Sequence, residues 1–490
     1  MNSHAELMYD VIVVGGGNAA MSAALSAKAA GARVVLLEKA PSGARGGNCP
    51  YTGGGFRFTH NGPEDLRALL ADPSELDGRE NEVEAYTANA YRKDMLDRTR
   101  GQTDPLLLNT LVSESYQTVL WLANIGIGFE LSGGRQENSS AAIGSRIGVR
   151  AIGSGPGLIN MHYSAAQRLG IHIAYETKML KVLQNSSGAV TGVRIQDKEG
   201  LQDLHAKGVI LACGGFEANQ EMRLKYLGGP WERAKVRGSK FNTGDGHRAA
   251  LDIGAKVMGQ WTGCHATPID FDAPPTGSTD SVDRLPRRSY TYGIMLNVQG
   301  KRFVDEGEDF ALNNFVKMGT KILEQPEGLA FQIFDSKTKH LLELRYGSAS
   351  AVTGDSMEEL AVKIGLNTEA VSKTIHEFNT GVQNGNFDPS KLDRKSTKCV
   401  TPPKSNWALT IDSPPFYAFR VTGGITYTFG GLTINQKAQV LDTEDKVIPG
   451  LYATGEIVGG FFYYDSLRAS GLMHGAVFGR IAGADAAGIS

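Results

Sequence analysis

Three consecutive glycines near the start of the chain lie between a β-branched run and a run of small, helix-favouring residues. Tyr9-Asp-Val-Ile-Val-Val-Gly15 predicts a buried strand and Ala19 to Ala30 predicts a helix, with Gly15, Gly17 and Ala20 spaced as G-x-G-x-x-A at the turn. The first glycine permits a tight turn, the second lets a ligand approach the backbone, and the small third residue lets the helix pack on the sheet. The strand, the glycine turn and the helix together predict the start of a βαβ unit in a parallel α/β sheet.

An acidic residue lies at the end of the second strand of this unit. Ala32-Arg-Val-Val-Leu-Leu-Glu38 predicts a second buried strand that ends in Glu38. The helix N-terminus would offer N–H groups and its positive dipole end to a pyrophosphate, and Glu38 would accept hydrogen bonds from ribose hydroxyls. These residues predict a dinucleotide-binding site.

The C-terminal residues favour FAD over NAD, which share this fingerprint. Val447 to Glu456 predicts a strand, a glycine and an acid placed to accept hydrogen bonds from a ribityl chain. Gly471 opens the last predicted helix, whose N-terminal amides could face flavin N1 and O2 and stabilise the reduced ring. A second glycine-rich segment, Gly153-Ser-Gly155-Pro-Gly157, has Leu158 at the third small position and lacks a clear preceding strand. NADH is therefore not expected as a direct partner.

The domain organisation follows from length and proline-rich seams. A chain of 490 residues exceeds what one core usually supports, so two domains are expected. Prolines interrupt the chain between Pro268 and Pro286 and again from Pro402 to Pro415. We predict a first domain split into residues 1–261 and 408–490, with a second domain, 262–407, inserted between the two parts.

Composition excludes several classes of protein. A net charge of -2 argues against a nucleic-acid partner. The four cysteines are widely separated with no CxxC, so no metal or cluster site is predicted. The longest apolar stretches are too short to span a bilayer. Met1 to Leu7 lacks the basic and apolar segments of a signal peptide, so a cytoplasmic protein is expected.

Across nearly its whole length the sequence resembles the fumarate reductase and succinate dehydrogenase flavoprotein superfamily, the FAD-binding-2 group, and within it the tricarballylate dehydrogenase branch. The matching segments are Asp10 to Ala20, Gly46-Gly-Asn-Cys49, Gly53-Gly-Gly55, Gly208 to Phe216, Asn242 to Gly246, Gly300 to Glu306, Pro415 to Gly431 and Gly450 to Gly488. The resemblance implies an α/β fold: a Rossmann-like FAD-binding domain of the GR2 type with an inserted α+β capping domain. The substrate would lie between the cap and the flavin.

The motifs and the resemblance together give a set of expected FAD-binding residues. They are Gly15, Gly17, Asn18, Ala19, Ala20, Glu38, Lys39, Gly47, Asn48, Cys49, Gly54, Gly55, Met179, Ala212, Gly214, Asp245, Glu456, Ser470, Gly471 and Leu472. Family members with covalently attached FAD carry a histidine at the position of Asn48. The FAD is therefore expected to be non-covalent.

Two positions depart from the fumarate reductase pattern. The arginine that delivers a proton in those enzymes, four residues after the acid of the RFV-x-E segment, corresponds to Phe310. Their substrate-clamping histidine before T-x-G-G corresponds to Tyr427. An efficient fumarate-type reduction is therefore not expected.

Three side chains are the predicted catalytic residues. His265 matches the cap histidine that holds a substrate carboxylate, and Arg468 matches the arginine that clamps a carboxylate near the flavin. Tyr427 is the predicted base, its pKa lowered by a cationic neighbour, with His265 as the second candidate. Arg287-Arg288 in a proline-flanked loop could attract an anion, although adjacent charges are usually only solvated.

The sequence thus predicts an FAD-dependent dehydrogenase acting on a C–C bond beside a carboxylate or carbonyl, with a tricarballylate-like polycarboxylate favoured. An ene-reductase of fumarate reductase type, a ketone or ketosteroid-like desaturase, and an isomerase without net redox change stay open. Electrons would pass to a separate electron-transfer protein, a quinone or oxygen.

Overall fold

The computed structural model describes residues 9–132, 148–278 and 284–488. The α-helices are α1 Asn18–Ala29, α2 Pro63–Arg67, α3 Ala88–Thr99, α4 Pro105–Asn124, α5 Ser154–Arg168, α6 Gln220–Leu227, α7 Asp245–Leu251, α8 Ala311–Leu323, α9 Met357–Lys363, α10 Thr368–Gly381 and α11 Ser470–Ala487. The strands are β1 Tyr9–Val14, β2 Val34–Leu37, β3 Gly55–Phe56, β4 Phe129–Ser132, β5 Gly148–Ala151, β6 His172–Ala174, β7 Lys178–Gln184, β8 Val190–Asp197, β9 Gly200–Leu211, β10 Lys235–Val236, β11 Val257–Met258, β12 Cys264–Asp270, β13 Ile294–Asn297, β14 Ala330–Phe334, β15 Val352–Gly354, β16 Phe416–Thr428, β17 Gly431–Leu432, β18 Gln439–Leu441 and β19 Val447–Ala453.

The first large sheet is the predicted parallel one. Its strands run in the order β18-β19-β9-β1-β2-β6, with β7 and β8 attached beside β9. Strand β1 lies between β2 and β9 in parallel register, with Val11 opposite both Val34 and Gly208. Because β1 is paired on both edges and buried on both faces, its sequence from Val11 to Val14 is a continuous apolar, β-branched run. The C-terminal strand β19 pairs with β9, so the end of the chain returns to this sheet.

Helices α1 and α11 pack together unusually closely because glycines line their contact. A Cβ atom added at Gly479 would lie 2.5 Å from the carbonyl oxygen of Ala19, and one at Gly483 would lie 2.2 Å from that of Ala23. Both distances are shorter than a carbon–oxygen contact allows. The sequence of α11 therefore fixes its position against the helix that follows the glycine turn.

The second large sheet takes four of its six strands from the predicted insertion, residues 262–407, and two, β10 and β16, from outside it. Its order is β10-β16-β14-β13, and β12 and β15 also pair with β16. Helices α9 and α10 pack on it through a separate core that includes Leu360 and Phe378. The expected α/β architecture is confirmed, with helices packed on the sheets.

Strand β16 shows where the sequence-based boundaries differ from the strand pairing. The sequence assigned Phe416–Thr428 to the returning first domain, whereas β16 pairs with β12, β14 and β15 of the inserted segment. Strand β10, which precedes the insertion, also pairs with β16. The limits 262–407 stay a prediction, and we propose that the capping domain also includes β10 and β16.

The glycines of the second glycine-rich segment serve helix packing. A Cβ atom at Gly155 would lie 2.1 Å from the carbonyl oxygen of Cys49, and one at Gly157 would lie 1.9 Å from that of Ile152. Contrary to the expectation, a strand, β5, directly precedes this segment. It belongs to a small antiparallel sheet of β3, β5 and β4 and not to the parallel one.

Within residues 9–132, 148–278 and 284–488, the helices lack the combination of length and apolar character that crossing a bilayer requires.

Candidate active site

One cavity of about 1180 Å³ lies where the two large sheets meet. Its walls include Val14 at the end of β1 and Ala212 after β9 from the first sheet, and His265 of β12 and Tyr427 of β16 from the second. Pockets for one small ligand occupy roughly 300–1,000 Å³. The larger volume leaves room for a cofactor together with a substrate.

All of the expected FAD-binding residues line this cavity except two, which the structure places elsewhere. Ala20 is fully buried in the core, where its small side chain permits close helix packing. Ser470 is also fully buried, and its hydroxyl accepts a hydrogen bond of 3.2 Å from the phenol of Tyr91. The other expected residues therefore lie together around one cavity, and their contacts with FAD stay a prediction.

The glycine turn and Glu38 fit the adenosine and pyrophosphate part of FAD. Gly15 has φ of +114°, and a Cβ atom there would lie 2.3 Å from the carbonyl oxygen of Ala212. Among the described residues, no side chain caps α1 at Gly17, so its first-turn N–H groups can meet a phosphate. Glu38 is held in place by backbone N–H donors, from Ala40 at 2.8 Å and Gly46 at 3.2 Å. Burial raises the pKa of Glu38.

The start of α11 fits the flavin part. The helix begins at Ser470 after Ala469, which has φ of +62°, and side chains of the described chain leave this end uncapped. Gly471 and Leu472 line the cavity there. Asn18 ties this end to α1 by donating to the carbonyl oxygen of Leu472 at 2.8 Å. The positive end of α11 can therefore stabilise negative charge on a reduced ring.

The side chain of Asn48 is engaged by the protein and offers no nucleophile. Its amide donates to Glu217 Oε1 at 2.6 Å and to the carbonyl oxygen of Thr426 at 2.8 Å, and it accepts from the Ser239 N–H at 2.9 Å. The residues present thus fit FAD, and an amide at this position is consistent with non-covalent binding.

A pair of buried glutamates lies beside Asn48. Asn48 also approaches Glu456 at 3.4 Å, and Asn242 donates to Glu217 Oε1 at 2.6 Å. Burial raises the pKa of both Glu217 and Glu456, and for Glu456 the neighbouring charge of Glu217 raises it further. The pair therefore keeps a proton to higher pH than two separate exposed glutamates would.

His265 and Tyr427 face each other across the β12–β16 pairing. The two residues are partners in the register, and their rings stack with centroids 5.1 Å apart and planes 9° from parallel. The hydroxyl of Ser466 lies 2.9 Å from Nδ1 of His265. The two predicted acid–base residues therefore lie side by side, and a serine hydroxyl contacts the imidazole.

Burial sets the protonation of both rings. It raises the pKa of Tyr427 above its ordinary value, so the expected lowering by a cationic neighbour is wrong. Burial also holds the pKa of His265 well below its ordinary value, and the charges of Arg237 and Arg288 lower it further. Both residues are accordingly neutral at neutral pH.

Three arginines line the cavity, together with carboxylates that include Asp309 and Glu343. Arg237, Arg288 and Arg468 all line it, and the side chain of Arg468 is exposed to the cavity. Arg288 lies over the ring of Phe315 at 4.2 Å and donates to Thr267 Oγ1 at 3.2 Å. Several cations around one cavity attract an anionic ligand.

The two arginines of the Arg287-Arg288 pair have different surroundings. Arg287 is almost fully buried and pairs with Asp270 at 2.8 Å, whereas Arg288 lines the cavity. Phe310 also lines the cavity and packs on Trp407 with ring centroids 5.3 Å apart. An apolar ring therefore stands in this cavity where the fumarate reductase pattern has an arginine.

Sequence reasoning missed three polar residues of this site. Glu217 directly follows the glycine-rich run that ends at Phe216, and Ser466 stands two residues before Arg468, so their proximity to known motifs was an available signal. Arg237 lies in a short segment with no motif of its own. Its place becomes clear only from the pairing of β10 with β16.

Comparison with known proteins identifies a family of FAD-binding proteins. The FAD-binding-2 family, described as FAD binding domain, matches residues 10–472. A probable fumarate reductase of Shewanella frigidimarina is 31% identical over 97% of this chain and 74% of its own length. A urocanate reductase of Eggerthella lenta is 30% identical over 98% of the chain and 75% of its own length.

A solved structure extends the likeness to the whole fold. The open conformation of a flavocytochrome c3 fumarate reductase superposes with a TM-score of 0.76 at 29% identity, covering 98% of this chain and 78% of that one. The chain thus belongs to the FAD-binding-2 family of the fumarate reductase and succinate dehydrogenase flavoprotein superfamily and is an FAD-dependent oxidoreductase acting on CH–CH groups.

Proposed function

We propose that this enzyme is a dehydrogenase that forms a carbon–carbon double bond beside a carboxylate or carbonyl, with a tricarballylate-like polycarboxylate as the favoured substrate. The observation that carries the proposal is one cavity whose walls hold both the FAD fingerprint and the set His265, Tyr427 and Arg468. Cofactor chemistry and proton chemistry can therefore act on the same molecule.

The reaction requires loss of an α-proton and departure of a β-hydride. Bound FAD supplies the hydride acceptor. The protein must hold the substrate oxygens and exchange the proton. Arg468 suits the first task because a guanidinium donates two parallel charge-assisted hydrogen bonds to a carboxylate.

The neighbouring groups support an anionic substrate. Arg237 and Arg288 flank His265 closely enough to lower its pKa, so their positive charge also acts on any ligand beside that ring. A neutral imidazole there can donate a hydrogen bond to a substrate oxygen that gains charge as the α-proton leaves. This arrangement favours a substrate with more than one carboxylate.

Phe310 supports the dehydrogenase direction. A reductase must deliver a proton to carbon, and the resemblance places its arginine donor at this position. The benzyl side chain has no proton to give. We propose that the electrons leave through a separate acceptor, an electron-transfer protein, a quinone or oxygen.

Reduction of an activated alkene is the second candidate, and the names of the two relatives favour it. Both are called reductases, one for fumarate and one for urocanate. Arg288 also lines the cavity. Its guanidinium could deliver the proton that the side chain of Phe310 cannot.

Anaerobic titration of the FAD-loaded protein separates the two directions. Tricarballylate, succinate and cyclohexanone are added in turn while the oxidised-flavin absorbance is followed. Bleaching by one of them is expected, together with its loss in Arg468→Ala and its retention in Arg420→Ala, a change on the exposed face of β16. The dehydrogenase is refuted if none bleaches the flavin while fumarate or urocanate reoxidises dithionite-reduced protein.

A further inference from the structure

We propose that Arg57 is a positioning residue that aims two parts of the site at once, the side chain of Arg468 and the first turn of α11. Arg57 directly follows β3 and lines the cavity. It acts through the backbone of the turn that precedes α11. The part of the inference that concerns Arg468 rests on the proposed function, whereas the part that concerns α11 rests only on the binding of FAD.

The turn before α11 carries both parts. The N–H of Ser470 donates to the carbonyl oxygen of Leu467 at 3.2 Å, which places Arg468 and Ala469 at the centre of the turn. Ala469 has φ of +62°, in the left-handed region that disfavours a residue with a Cβ atom. Such a backbone conformation persists only where the surrounding contacts hold it. The turn therefore needs support from another part of the chain.

Arg57 supplies this support from both its backbone and its side chain. Its N–H donates to the carbonyl oxygen of Ala469 at 3.0 Å, and its Nε donates to that of Arg468 at 2.8 Å. These carbonyl groups belong to the two peptide planes that flank the left-handed residue. A peptide plane whose oxygen is held cannot rotate freely. One residue thus fixes the backbone of the turn on both sides of Ala469.

A second set of groups anchors the guanidinium of Arg57. Its Nη1 donates to the phenol oxygen of Tyr86 at 2.9 Å and lies 3.5 Å from Oδ2 of Asp94 on α3. The phenol donates to the same carboxylate oxygen at 2.8 Å. Backbone hydrogen bonds of 2.9 and 3.1 Å with His60 hold Tyr86 in place. Arginine suits this position because its planar fork donates in several directions from one rigid group.

Support of the turn has two chemical consequences. The positive end of a helix stabilises negative charge on reduced FAD only where the first-turn N–H groups point at the ring. A guanidinium donates two parallel hydrogen bonds to a carboxylate only in a narrow range of orientations. Because Arg468 and the start of α11 share one turn, a change at Arg57 should weaken both effects together.

The first test needs no substrate and measures the reduction potential of the FAD-loaded protein by equilibration with a reference dye. A helix N-terminus is worth about fivefold in the equilibrium between oxidised and reduced flavin, so Arg57→Ala should lower the potential by about 20 mV. Arg57→Lys keeps the positive charge but loses the fork, and we expect it to lower the potential nearly as far. The backbone N–H stays in both variants, so the shift reports on the side chain alone.

Arg67→Ala is the matched control for this measurement. Arg67 also donates to a backbone carbonyl oxygen, that of Pro73 at 2.9 Å, and it pairs with Asp77 at 2.8 Å. Among the described residues, it is not part of the cavity wall. The potential of this variant should equal that of wild type.

Two results would overturn the inference. A wild-type potential in Arg57→Ala would show that the start of α11 does not depend on this side chain. A lowered potential in Arg57→Ala with a wild-type potential in Arg57→Lys would assign the effect to charge alone. Should Arg57→Ala fail to retain FAD, Tyr86→Phe decides, because it leaves Arg57 in place and removes one of its anchors. A lowered potential in Tyr86→Phe supports the inference, and an unchanged one contradicts it.

The second test uses whichever of tricarballylate, succinate and cyclohexanone bleaches the flavin. A hydrogen bond to a charged group is worth about tenfold or more in affinity, so Arg57→Ala should raise the half-saturating concentration about tenfold. In an Arg468→Ala background the same change should add little, because the side chain that Arg57 positions is already absent. A further tenfold rise in the double variant would contradict the link to Arg468. Failure of all three compounds contradicts the proposed function, and the reduction potentials then decide on Arg57 alone.

Discussion

Individual side chains in this site owe their chemistry to burial more than to residue type. Tyr427 was chosen from the sequence as a base, yet the structure raises its pKa and stacks it on a neutral His265. Phe310 shows the opposite case, in which residue type decides. Its position in the cavity matters because an apolar ring cannot deliver a proton.

Phe310→Arg should favour the reductive direction. A guanidinium in this cavity would add the proton donor that the fumarate reductase pattern places there. We expect fumarate to reoxidise the dithionite-reduced variant about 100-fold faster than wild type, at the low end of acid–base effects. Stopped-flow absorbance measures the rate. Phe310→Leu is the control and should match wild type, and an equal gain in both variants would contradict the explanation.

The Glu217–Glu456 pair predicts a pH dependence of stability. The folded pKa of each carboxyl lies above its ordinary value of 4.5, so the folded state binds more protons than the unfolded chain. Wild-type stability should therefore fall as pH rises from about 4.5 towards the folded pKa values.

Glu217→Gln removes one of these titrating groups while keeping an oxygen that can accept from Asn48 and Asn242. The thermal midpoint of the FAD-loaded variant should exceed that of wild type at pH 8 by about 2 °C or more, and by less at pH 5. Glu377→Gln, at an exposed ion pair on α10, serves as the control and should show no such difference. An equal shift at both pH values would rule out the buried pair as the cause.

At the scale of elements, the contact between α1 and α11 links the two cofactor-binding helix ends. Gly→Ala within a helix usually stabilises by about 1 kcal/mol through propensity. Gly483→Ala should have the opposite sign, because its Cβ atom would lie 2.2 Å from the Ala23 carbonyl oxygen. We expect a lower thermal midpoint and faster FAD release, followed by flavin fluorescence. Ala484→Ser, on the exposed face of α11, should change neither, and a gain in stability for Gly483→Ala would show that the contact can relax.

The sequence predicted an element well when the residues that define it lie close together in the chain. Strand β1, the glycine turn and Glu38 lie within thirty residues, so local patterns sufficed to predict them. Strand β16 was recognised as a strand but was grouped with the returning first domain, because its partners β12 and β14 are distant in the sequence. Ser466 was missed for the same reason, since its hydroxyl meets His265, which lies 201 residues away in the sequence.

At the scale of the whole molecule, Arg98 connects the two domains across the cavity. From α3 of the first domain it donates to the carbonyl oxygen of Asn313 on α8 at 3.0 Å, and it pairs with Asp465 at 3.4 Å. Asn313 in turn donates to Asp309 Oδ1 at 3.0 Å. Because Arg98, Asp309 and Asn313 all line the cavity, this contact ties the cap helix to the loop that carries Ser466.

Removal of this contact should loosen α8 selectively. A charge-assisted hydrogen bond contributes about 1.5–3 kcal/mol, so Arg98→Ala should speed amide hydrogen exchange in Ala311–Leu323 about tenfold or more. Exchange in α10, which packs in the separate core of the cap, should stay unchanged. Arg92→Ala is the matched control, since Arg92 lies on the same helix but donates to Asn109 of α4 within the first domain at 2.7 Å. If both variants speed exchange in α8 and α10 alike, α3 stabilises the molecule as a whole and the Arg98 contact has no specific role in holding the cap.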